Sequence, residues 1–88
     1  MKITITMIYP DKNREYNIQV DNTQRIITTL KVMCENICGL EDVCLHKNVR
    51  LENTGRILQI EKSYEENKVF SGAKLIVTHN ANENKGEL

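Results

Sequence analysis

Residues 21–39 constrain this chain more than any other stretch, because they carry a one-sided apolar stripe at helical spacing between runs that alternate like strands. Ile26, Leu30, Met33 and Ile37 recur at three- and four-residue steps and so stack on one face of a 3.6-residue helix, with Ile27 and Cys34 widening the stripe. Arg25, Thr28, Lys31 and Glu35 fall mostly on the opposite, wet side. Asp21, Asn22 and Thr23 offer N-cap side chains, and Thr23 is favoured because the stripe begins three residues later. Gly39 stands where a left-handed residue would stop the helix. A helix this apolar on one face has to be covered, and its neighbours predict the sheet that covers it.

Before the helix, Ile3, Ile5 and Met7 alternate with Lys2, Thr4 and Thr6, and only Ile8 breaks the polar side. Pro10–Asn13 reads as a turn, and Tyr16, Ile18 and Val20 then alternate with Glu15, Asn17 and Gln19, so the first 20 residues predict a hairpin. After the helix, residues 40–47 read as irregular and Val49–Glu52 as a third strand. Asn53-Thr54-Gly55 is a turn, and Arg56–Leu58 a short fourth strand. The charged stretch 61–68 predicts a loop with one helical turn pinned by a buried Tyr64, with Val69 packed beside it. Ser71-Gly72 makes a tight turn into the apolar run Leu75-Ile76-Val77, which suits a central strand. From His79 to Leu88 the chain is polar and aperiodic, which predicts a disordered tail after a single domain at 1–78.

The 12 basic and 12 acidic residues cancel, which argues against a protein that coats nucleic acid, since neutralising phosphates needs a surplus of Lys and Arg on one face. No run of about 18 apolar residues is present, so membrane insertion is not expected. Three cysteines without framework spacing suggest free thiols in a reducing cytosol. Cys34, Cys38, Cys44 and His46 are soft ligands close in sequence, but Cys34 lies in the helix stripe and the pairs do not straddle a tight loop, so no zinc site is expected. A Cys–His nucleophile would lack both a cleft and an orienting third residue, so no catalytic residues are assigned. Tyr9, Tyr16 and Tyr64 read as packing residues with hydroxyls reaching water.

The element order is ββαββ, an α+β β-grasp with a mixed sheet of four to five strands on one helix. Met-Lys-Ile-Thr-Ile at the start, Tyr16/Ile18/Val20, the strand–turn–strand Val49–Leu58 and the segment Ser63–Val77 resemble ubiquitin-like proteins across residues 1–78. Conjugated modifiers and sulfur carriers of that fold end in Gly-Gly, whereas this sequence ends Asn84-Lys85-Gly86-Glu87-Leu88. The chain is similar in fold, length and Gly-turn-last-strand signature to the YukD-like family, cytosolic accessory proteins of type VII (WXG100) secretion systems in Gram-positive bacteria. The resemblance implies a non-enzymatic, cytoplasmic protein without cofactor or small-molecule substrate. It would bind or regulate membrane secretion machinery, a secretion ATPase or another component. The alternatives are a modifier or sulfur carrier exposed by trimming at Gly86, and a free-standing regulatory interaction domain. Ubiquitin presents an apolar patch on its sheet; the matching third-strand position is read here as Glu52, so that route is not carried over. Arg50, Glu52, Arg56, Lys68 and Lys74, together with the exposed sheet face and the loop 61–68, are the candidate protein-binding surface.

Overall fold

The computed structural model describes residues 1–37 and 47–79. Strand β1 (Lys2–Tyr9) turns through a 3-10 turn, Pro10–Lys12, into β2 (Arg14–Asp21). Pro10 supplies its fixed φ at the start of that turn, and Asn13 closes it in the left-handed region at φ 55°, as its side chain tolerates. Helix α1 (Ile26–Asn36) follows, then β3 (Lys47–Leu51) and β4 (Lys74–His79). Among the described residues these strands form one mixed sheet in the order β2-β1-β4-β3. The parallel pairing of β1 with β4 makes the Leu75–Val77 run central, as its apolar sequence requires.

Register places Met7 beside Leu75 and Tyr16, Ile5 beside Ile18, Ile3 beside Val20, and Val49 beside Val77. Residues opposite one another share a face, so these side chains form one apolar surface. Against it α1 lays Ile26, Leu30, Met33 and Cys34, with Ile37 half-buried at the rim. Thr29 is also buried on that inner face, where its hydroxyl accepts a 2.6 Å bond from Gln24 Nε2.

The helix differs at both ends from its expected limits. It starts after Arg25, which uses no side-chain cap, and Thr23 instead donates its hydroxyl to Asp21 Oδ1 at 2.7 Å. The first amides are capped from a distance: Ile26 N–H donates to Lys62 O (3.1 Å) and Ile27 N–H to Ile60 O (2.9 Å). Carbonyls from another segment replace the local cap. At the far end Ile37 is already extended (φ −112°), so the helix stops before Gly39, which lies outside the described residues.

Two strand limits also shift. Arg56–Leu58 makes only a bridge from Ile57 to Arg50, with Leu51 N–H to Arg56 O and Leu58 N–H to Val49 O, because Thr54 and Gly55 turn the chain and the next contacts lead away. β4 includes His79, one residue into the expected tail; 80–88 lie outside the described residues, as do 38–46. Among the described residues no helix is long and apolar enough to cross a membrane.

Candidate protein-binding surface

The sheet face away from α1 carries the surface that sequence periodicity pointed to. One register row crosses the sheet as Glu15, Ile8, Ile76, Arg50 and Ile57. Ile8 and Ile76 are half-buried, while Ile57 is 59% exposed. Arg50 therefore stands among three isoleucines, and the next row brings Asn17, Thr6 and Lys74 alongside it. Thr6 Oγ1 donates to Asn17 Oδ1 at 2.7 Å, which stiffens the polar edge of this row. Glu52, expected at the outward-facing position of the third strand, lies just beyond β3, and the outward side chain there is Arg50. The strand expected over Val49–Glu52 ends one residue early, because Leu51 is the last residue of the ladder.

Residues 63–69 build one helical turn with both ends closed. Ser63 N–H donates to Glu66 Oε1 (2.9 Å) and Glu66 N–H to Ser63 Oγ (3.0 Å), a reciprocal capping box. Val69 N–H reaches back to Tyr64 O (2.9 Å) and Lys68 N–H to Glu65 O (3.0 Å), the two bonds of a Schellman stop, with Tyr64 and Val69 both buried as its apolar contact. Lys68 occupies the left-handed position at φ 60°, where glycine is usual. Asn67 is buried and ties the turn to its neighbours: Oδ1 accepts from Gln59 N–H and Nδ2 donates to Gln59 O and Ser63 O, each at 2.9 Å. The turn also clamps the helix entry, through Tyr64 N–H to Gln24 O and Glu65 N–H to Asn22 O.

The five predicted residues separate into three roles. Arg50 faces out on the open sheet. Arg56 turns its guanidinium onto the backbone oxygen of Asn67 at 2.6 Å, so it braces the turn. Glu52, Lys68 and Lys74 line a surface groove of about 420 Å³ between Leu51–Asn53 and Lys68–Lys74. The groove also holds Phe70, 73% exposed, which sequence reading passed over. A signal was present: Val69 is expected to pack beside Tyr64, and it is buried while the adjacent Phe70 is not.

Titratable groups with shifted acidity are tied into structure. The Glu66 carboxyl is held below its ordinary range by bonds from the Ser63 amide and hydroxyl, and Asp21 by the Thr23 hydroxyl and amide and the nearby N-terminal amine. Burial pushes Tyr9 and Tyr64 up to about 12. Contrary to the expectation that these hydroxyls reach water, burial keeps both from it: Tyr9 donates to Met33 Sδ at 3.6 Å, and Tyr64 is enclosed without a hydrogen-bond partner. Thr29, which draws the Tyr64 acidity partly back, stands near enough to be felt but its hydroxyl is already engaged with Gln24. Cys34 is buried and disulfide-bonded, which removes it as a metal ligand and as a free thiol; the odd cysteine count concealed that two can still pair. Cys38, Cys44 and His46 lie outside the described residues.

Comparison with solved structures decides the fold. A de novo designed protein based on ubiquitin matches with a TM-score of 0.71 at 16% identity, covering 91% of this chain and 90% of that one. The fold is ubiquitin-like. The ubiquitin-like domain of Plasmodium falciparum Dsk2 matches with a TM-score of 0.67 at 15% identity, over 91% of this chain and all of that one. Caldiarchaeum subterraneum ubiquitin matches with a TM-score of 0.66 at 16% identity, over 91% and 95%. No protein-family model matches this ubiquitin-like chain, and no curated protein matches it in sequence.

Proposed function

We propose that this ubiquitin-like chain is a non-enzymatic protein-binding module whose open sheet face receives a protein partner, in the setting of a type VII-like secretion apparatus. The observation that carries the binding reading is the row Ile8, Ile76, Arg50 and Ile57, an apolar strip with one cation within it on a face that no element of the described chain covers. Exposed apolar strips rimmed by polar groups are what protein interfaces are made from. The non-enzymatic reading is supported by the fate of the groups with shifted acidity: Asp21 and Glu66 hold backbone amides, and Tyr9 and Tyr64 are enclosed in the core. The secretion setting rests on the resemblance to the YukD-like proteins, which supplies a membrane secretion ATPase or another secretion component as partner and the cytoplasm as location.

The test is a pull-down of tagged protein from source cells in mild detergent, read by intact mass and partner identification. Full-length, unmodified chain recovered with a membrane secretion ATPase, and that recovery lost with Arg50→Glu, supports the reading. A chain trimmed to Gly86 and joined covalently to other proteins overturns it in favour of a modifier. Thiol counting on the same material tests the location: a reducing cytosol predicts Cys34 recovered as a free thiol, whereas a retained disulfide places the chain in oxidising surroundings.

A further inference from the structure

Beside the sheet face, and meeting it at Lys74, lies the groove between Leu51–Asn53 and Lys68–Lys74. Two of its residues are poor local choices. Lys68 sits at φ 60° in a Schellman stop, a conformation that side chains disfavour and glycine adopts freely. Phe70 exposes most of its ring to water. Arg56, by contrast, is bonded internally, yet among the described residues neither the Lys68 nor the Lys74 ammonium is held in an ion pair. Residues kept against local preference, clustered along one concave surface, mark places where another constraint acts.

The lining defines what fits. Phe70 with the half-buried Leu51 and Ala73 gives an apolar floor for one side chain, and the wall 68–74 brings two uncommitted cations against the single anion of Glu52 on the other wall. That charge asymmetry favours an anionic guest, and its concentration on one wall fixes the guest's orientation. We propose that this groove binds an acidic peptide segment, seating an apolar side chain beside Phe70 while flanking carboxylates meet Lys68 and Lys74. The inference rests on the protein-binding reading but uses an adjoining surface centred on Phe70, so the Arg50 and Phe70 variants tell the two apart.

The test is an amide-resolved NMR titration of the full chain with three pools of capped synthetic hexapeptides: an apolar residue flanked by aspartates, the same flanked by lysines, and aspartates around glycine. The aspartate–apolar pool should shift amides in 51–53 and 68–74, with the other two pools bound at least about tenfold more weakly. Phe70→Ala and Lys68→Glu should each weaken binding about tenfold, and Arg50→Glu should leave it unchanged. Lys68→Gly separates binding from folding, because it should raise thermal stability while weakening the peptide. Shifts elsewhere, equal response to the lysine pool, full competition by inorganic phosphate, or undiminished binding by Lys68→Gly would each overturn the proposal.

Discussion

The turn at Ser63–Asn67 and the groove segment at Lys68–Lys74 are adjacent in sequence and opposite in character. In the turn the irregular backbone is closed by side chains: Ser63 and Glu66 cap its start, and Asn67 makes three bonds that fasten it to Gln59 and back to Ser63. In the groove, Lys68 adopts a glycine-like conformation, Phe70 faces water, and the lysines stay uncommitted. Lack of regular secondary structure therefore says little about rigidity. What separates the two stretches is how many side chains return to the fold: in the groove segment Val69 is buried and Ser71 Oγ accepts from Thr4 N–H, while Lys68, Phe70 and Lys74 leave it.

Tyr64→Ala should do the greatest damage, about 3–5 kcal/mol, because it empties a fully enclosed aromatic site where the turn meets the helix. Chemical denaturation measures it, and a loss under about 1 kcal/mol would mean the turn is not fastened by its anchor. Asn67→Ala comes next, at about 1–3 kcal/mol, since it strands the part-buried Gln59 amide and takes one bond each from the Gln59 and Ser63 carbonyls, which keep Lys62 N–H and the residue 67 N–H. Lys68→Gly reverses the sign: relief of the left-handed backbone should stabilise by about 1 kcal/mol, read as a raised denaturation midpoint at unchanged slope.

Acid should loosen the turn before the groove. The Glu66 pKa is lowered by its bonds from Ser63, so its contribution is present above the unfolded carboxylate pKa and is lost as pH falls through the lower folded value. Glu66→Gln should flatten that acid limb in thermal melts across the carboxylate range; an identical limb would show that the capping box carries no linkage. Phe70→Ala should change stability least, within about 0.5 kcal/mol, because the ring already lies in solvent. A larger loss would make Phe70 part of the core and erase the contrast.

Much of this was legible beforehand, for reasons that differ by residue. Ile3, Ile5 and Met7 declared their face because strand alternation is a local code, and Ile26, Leu30 and Met33 did so by the helical equivalent. Tyr64 stood out as the sole aromatic in a charged stretch, and Ser71-Gly72 as a turn, with Gly72 at φ 94°. The helix start was illegible because its cap comes from Ile60 and Lys62, more than 30 residues away, while the Thr23 signature closes on Asp21. Arg56 reads as a surface charge until its partner, a backbone carbonyl invisible to any charge pattern, is seen. Among the candidate site residues, exposure followed from alternation for Arg50, whereas the groove depends on two segments meeting across the end of the sheet.

That meeting has a consequence for how the chain is made. The sheet's central seam joins its first strand to its last, and Thr4 touches Ser71 across 67 residues of sequence. Translation at about 5–20 residues per second leaves β1 without its inner neighbour for several seconds after it emerges. Through that interval the hairpin of β1 and β2 holds the register, but Ile5 and Met7 have neither Leu75 beside them nor a completed helix above them. The nascent chain is thus most adhesive early in its synthesis and acquires its solvent-tolerant exterior only when β4 slides in, which makes the last strand the lock of the whole domain.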